Sequence, residues 1–135
     1  MFLATVGHPI YYRTCVYLKD EEKETIYNGL DRTLRDYNSG GFRINKIECD
    51  GEFRPMMDAV KDKLDITMNY SNAQDHVPAA ERNNRTIKEA FRTALHRTPY
   101  KWIPTLMIKE LAISCTNRLN WFPAKNRILQ IYSPN

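Results

Sequence analysis

The chain has 135 residues, of which 42% are hydrophobic and 11% aromatic, and a net charge of +4. This is enough mass and apolar content for one folded core, and no stretch of about 18 apolar residues offers a membrane span. Met1-Phe-Leu-Ala-Thr-Val6 lacks the basic start and apolar run of a signal peptide, and it reads as a strand that begins abruptly. Cys15, Cys49 and Cys115 are odd in number, far apart and form no Cys-x-x-Cys pair. They predict reduced, intracellular thiols rather than a zinc site or a disulfide framework.

Phe2–Val6 and Tyr11–Leu18 are rich in β-branched and aromatic residues, and His8-Pro9 marks a turn between them, so the two runs predict a hairpin. Asp20-Glu-Glu-Lys then opens a helix, with Asp20 as its N-cap. Ile26, Leu30 and Leu34 share one face, and Gly40-Gly41 ends the element. Phe42–Cys49 predicts a further strand. Pro55 suits a first helical turn, with Phe53, Met56, Met57, Val60 and Leu64 on its apolar side. Ile66, Met68 and Tyr70 alternate with polar residues as another strand, followed by a polar loop at Ser71–His76. Pro78 starts a helix of about five turns reaching roughly Arg97, and Thr98-Pro99 breaks it. A last helix runs from about Pro104 to Trp121 and is apolar on more than one side, as befits burial or a subunit interface. Trp102 and Trp121 bracket it and read as core anchors rather than base-stacking platforms. The order is β-β-α-β-α-β-α-α, a mixed α/β pattern with an antiparallel first pair and parallel later strands.

The charge is divided unevenly. Residues 1–76 hold 10 Lys/Arg against 13 Asp/Glu, net −3, whereas residues 77–135 hold 10 against 3, net +7. The second part is where a polyanion would be met. On a helical wheel Glu81, Arg85, Lys88 and Arg92 form a stripe about 60° wide, with Ala80, Ile87, Phe91 and Ala94 on a neighbouring, inward face. Glu81 then lies on the shoulder of the helix near its N-terminus, and the cations continue as a track suited to phosphates. An isolated helix with these residues is more commonly a solvated face with i,i+4 pairs. Asp50 closes the alternating run Phe42-Arg-Ile-Asn-Lys-Ile-Glu-Cys-Asp50, and a carboxylate at a strand end with a second on a basic helix suits divalent-metal phosphate chemistry.

Asp50-Gly-Glu-Phe53, followed by Val77-Pro-Ala-Ala-Glu81-Arg-Asn-Asn-Arg85-Thr, resembles the integrase catalytic core of retroelements, especially copia-type Gag-Pol polyproteins. Leu119-Asn-Trp-Phe-Pro-Ala-Lys125 and Tyr132-Ser-Pro134 are similar to the segments that follow that core. The resemblance covers nearly the whole chain, and its most specific part is the Glu81 helix. It implies a ribonuclease H-like mixed sheet flanked by helices, with residues 1–122 as a partial catalytic core and 123–135 as the truncated start of the next segment.

The family uses two Asp and one Glu to hold two Mg²⁺ or Mn²⁺ ions for DNA-end processing and joining. Carried over, Asp50 matches the second Asp and Glu81 the Glu, as catalytic and metal-binding residues, while Arg85 and Lys88 occupy positions of basic residues that touch the DNA end; Arg92 of the same stripe extends this nucleic-acid-binding set. The resemblance also implies a homo-oligomer in the complete protein, acting in the nucleus or a retroelement particle. The chain departs from the family in two ways. The Asp50–Glu81 spacing is a few residues short, with the Ser71–His76 loop as the place of deletion. The first (central) strand and its Asp have no counterpart, because neither Asp20 nor Asp31 matches that position.

The expectation is therefore an integrase-core fragment that is inactive alone. The alternatives are a non-catalytic nucleic-acid-binding or oligomerising remnant and, with less support, a free-standing nuclease of the same fold. Lacking its central neighbour, the Phe42 strand could slide over to pair with the hairpin. Glu52 is a candidate supporting group beside Asp50, or a partner for Arg54, and His76 is a solvated loop residue that could approach the site.

Overall fold

The computed structural model describes residues 1–70 and 77–122, without the side chain of Glu52. The calls on the Ser71–His76 loop, on residues 123–135 and on Glu52's side chain lie outside these residues. The chain is mixed α/β, with helices α1 (Lys23–Ser39), α2 (Met57–Leu64), α3 (Pro78–Arg97) and α4 (Thr105–Leu119). Its strands are β1 (Phe2–Val6), β2 (Arg13–Tyr17), β3 (Lys46–Cys49) and β4 (Thr67–Tyr70), and they form two separate pairs, β1–β2 and β3–β4. The chain divides into two compact units. One holds Met1 and Tyr17–Pro78, the other Phe2–Val16 with the chain from Ala79 onward.

In the first unit, α1 begins two residues later than its acidic run suggests. Asp20 does not cap it. Its Oδ1 instead accepts the Glu22 N–H at 3.2 Å, and Glu22 takes the cap position without a side-chain bond. An aspartate so close to the chain's own N–H groups closes a local turn before the helix can begin. The hydrogen bond from Thr25 and then that from the Glu22 N–H hold the Asp20 carboxyl below its ordinary pKa. Leu30, Leu34 and Tyr37 bury one face of α1.

At the other end of α1, Gly41 adopts φ 80°, which a side chain resists, and the Phe42 N–H returns to the Tyr37 carbonyl at 3.0 Å. Phe42 is thus spent on closing the helix, which is why β3 starts at Lys46 rather than at Phe42. β3 and β4 pair in parallel, Lys46 opposite Thr67 through Cys49 opposite Tyr70, and not with the hairpin. A 3₁₀ turn (Gly51–Met56) and α2 make the crossover that a parallel pair requires. Val60, Met56, Ile66 and Met68 are buried around it.

In the second unit, the hairpin turns through Gly7 and Tyr12, whose main chains bond at 2.8 Å, and the Thr5 and Thr14 hydroxyls bridge its strands at 2.7 Å. Two buried carboxamides fasten it to helices. Asn83 of α3 donates to the Thr5 carbonyl at 3.3 Å. Asn120, just after α4, accepts from the Arg13 N–H and donates to the Arg13 carbonyl, both at 2.8 Å. The Asn120 amide therefore acts as one further rung of backbone pairing along β2. Cys115 reaches the Ala90 carbonyl of α3 from α4 at 3.9 Å.

Candidate nucleic-acid interface

α3 spans the predicted Pro78–Arg97. Proline suits the first helical position because its missing N–H has no intrahelical partner there. Glu81 in the first turn and His96 and Arg97 in the last complement the helix dipole. Asn83 and Ile87 are buried, and Ala80, Ala90, Phe91 and Ala94 are half-buried. At 100° per residue this inward face is centred about 140° from Glu81, Arg85, Lys88 and Arg92, all four of which are exposed. The stripe thus runs from the shoulder of the helix to its outer side. Asn83 joins this inward face through its bond to the hairpin.

The structure brings the stripe residues together. Glu81, Asn84, Arg85, Lys88, Glu89 and Arg92 line one shallow, open hollow along α3. Arg85, Lys88 and Arg92 make no ion pair among the described residues. Three uncommitted guanidinium and ammonium groups on one helix face can meet successive phosphates without breaking an existing bond. Glu81 and Glu89 sit among them and favour a cation, or a phosphate held at some distance.

Asp50 belongs to the other unit. It follows β3 and heads the 3₁₀ turn with extended backbone (φ −72°, ψ 161°), and its carbonyl accepts the Phe53 N–H at 3.1 Å. Its carboxylate makes no capping bond and is exposed. Beside it, burial and then the Asp50 charge push the Cys49 thiol up from its ordinary pKa. Arg54 lies 5.1 Å from the centre of the Tyr70 ring, a cation–π contact.

Trp102 and Trp121 are not core anchors: both are exposed, Trp102 at 92%. α4 buries Ala112, Cys115 and Thr116 but exposes Leu106 and Met107, so it is neither deeply buried nor apolar without purpose on every side. The structurally decisive Asn83 and Asn120 carry no sequence signal beyond their place on helix faces or ends that otherwise favour apolar residues.

Among the described residues no group of three or more His, Cys, Asp or Glu is placed to hold a metal ion. No described helix is long and apolar enough to cross a membrane. No family model matches the chain, and no curated protein is significantly similar to it.

Proposed function

We propose that the chain is a nucleic-acid-binding protein of the retroelement-integrase kind, which holds DNA along the outer face of α3. The observation that carries this is the set of Arg85, Lys88 and Arg92, exposed on one face and without ion-pair partners among the described residues. The net +7 of residues 77–135 favours the same partner. A ribonuclease H-like architecture belongs to the proposal. It is supported by the antiparallel hairpin, the parallel β3–β4 pair and the order of helices.

On the strength of their motifs, Asp50 and Glu81 stand for the second and third acids of an integrase site for Mg²⁺ or Mn²⁺. Two carboxylates fall short of the three-acid ligand set. In this reading the chain binds DNA without cutting it, as part of a homo-oligomer in the nucleus or a retroelement particle.

Duplex binding measured by fluorescence anisotropy across a salt series tests the proposal. Each phosphate neutralised contributes about −0.9 to the slope of log K against log salt. The triple variant R85A/K88A/R92A is expected to make that slope shallower by about 2.7 and to weaken binding equally for unrelated sequences. An unchanged slope would assign α3 to an ordinary solvated surface.

A further inference from the structure

The connection between α3 and α4 carries Tyr100 and Trp102, which are 65% and 92% exposed. Exposed tryptophan on this scale is uncommon, because the ring is large and apolar and normally finds cover. The segment is also anchored. The Thr98 hydroxyl donates to the Leu95 carbonyl at 2.7 Å, Ile103 is half-buried, and Pro99 and Pro104 restrict the backbone on either side. The rings are thus presented from a tethered strand of chain.

Their surroundings select the occupant. No Asp or Glu occurs between Glu89 and Glu110, and this acid-free stretch contains Arg92, Arg97, Lys101 and Lys109. Lys101 stands between the two aromatic residues. His96 continues the α3 stripe toward them, one turn beyond Arg92. An apolar protein partner gains nothing from cations threaded between the rings, whereas a polyanion with flat, apolar bases is matched in both respects. Bases in a duplex are stacked on each other and unavailable, so the match is to a single strand.

We propose that Tyr100 and Trp102 form a base-stacking platform for single-stranded nucleic acid, whose backbone runs on to Arg92, Lys88 and Arg85. From Arg85 to His96 the helix rises about 16 Å, roughly the length of five stacked nucleotides. The proposal rests on the α3 reading and adds to it a ligand class and a second contact that reads base faces.

Tryptophan fluorescence separates the two. In a Trp121→Phe background the emission reports Trp102 alone, because the chain has two tryptophans. Short oligo(dT) is expected to quench it, and an abasic oligodeoxynucleotide of equal length to bind without quenching. Trp102→Ala and Tyr100→Ala are expected to weaken oligo(dT) binding by about 5- to 150-fold each and to leave the abasic affinity unchanged. Both rings are exposed, and an unaltered circular dichroism spectrum confirms that the variants fold. R85A/K88A/R92A weakens both ligands if the α3 reading holds. Equal affinity for the two oligonucleotides, or an unaffected Trp102→Ala variant, overturns the platform while leaving α3 intact. Loss of self-association in Trp102→Ala, with oligo(dT) binding unchanged, would overturn it in favour of contact between copies. Failure of the parent chain to bind either oligonucleotide overturns the platform, and the duplex salt series decides the α3 reading separately.

Discussion

Replacing Asn120 with alanine tests whether a side chain can serve as a strand rung. Asn120 is 0% exposed, and both ends of its amide engage the main chain of Arg13 at 2.8 Å. Only one orientation of the amide satisfies a backbone donor and acceptor together, so the assignment of its nitrogen and oxygen follows from the network. Alanine removes two buried hydrogen bonds, each with a net contribution of about 0.5–1.5 kcal/mol. It also leaves the Arg13 N–H and carbonyl without these partners, at about 1–3 kcal/mol for each group that water does not reach. These terms overlap, and a total of about 2–5 kcal/mol is expected, a large share of a domain's usual stability of about 5–15 kcal/mol. Asn120→Asp keeps the acceptor but turns a carboxylate toward the Arg13 carbonyl, and it should cost as much. Asn83→Ala is the internal control. It loses one longer bond, to the Thr5 carbonyl at 3.3 Å, and its Oδ1 has no partner among the described residues to forfeit. About 1 kcal/mol is expected there. Urea unfolding followed by far-ultraviolet circular dichroism is the suitable assay, because α3 and α4 lie in the unit that contains Asn120. An Asn120→Ala variant within 0.5 kcal/mol of the parent (about the scatter of neutral surface changes), or an Asn83→Ala variant that costs more, would refute the reasoning.

Three further outcomes follow from the same geometry. Val60, with no exposed surface, sits under α2 in the other unit, and Val60→Ala should cost about 2 kcal/mol in far-ultraviolet circular dichroism melts. Burial raises the Cys15 and Cys49 thiols, against a smaller opposing hydrogen bond from Thr116 at Cys15 and with help from the Asp50 charge at Cys49. The folded state therefore keeps these protons when the unfolded chain has begun to lose them, so stability should fall as pH rises past the ordinary thiol range, and C15S/C49S should flatten that fall; a stability that climbs between pH 8 and 10 would count against it. Supercoiled plasmid incubated with the chain and Mg²⁺ or Mn²⁺ should remain uncut, and nicking that disappears in Glu81→Gln would contradict binding without turnover.

The elements that could be read from the sequence are those whose signal is local. Proline at 78 and the Thr98-Pro99 break fix α3 at both ends, and β-branched runs about a turn give the hairpin. What could not be read depends on partners distant in the chain. Asn83 and Asn120 look like surface amides until Thr5 and Arg13 are placed beside them, 78 and 107 residues away. The tryptophans were misplaced for the opposite reason: residue type argues for burial, but the short connection that carries Trp102 has Ile103 as its inward residue instead. Asp20 and Phe42 carry the residue-type signals of the elements they adjoin, and in the structure each closes a turn at the element's edge.

Glu81 offers the sharpest discrimination between an integrase-type helix and a merely basic one. A carboxylate at the head of a phosphate track is unfavourable if its only role there is electrostatic. At roughly 8 Å in water, one negative charge repels a phosphate by about 0.5 kcal/mol, or about twofold in affinity. In metal-free buffer Glu81→Gln should therefore bind duplex DNA about twofold more tightly than the parent, whatever the ancestry of the helix. The two readings diverge when Mg²⁺ is added at constant ionic strength. If Glu81 holds a cation that also meets DNA, the parent tightens and the variant does not, so their order reverses. On a plain basic helix both respond to Mg²⁺ only as to any screening ion, and the variant stays ahead. Persistence of the glutamine advantage across the titration would leave nucleic-acid binding standing and remove metal binding from the proposal.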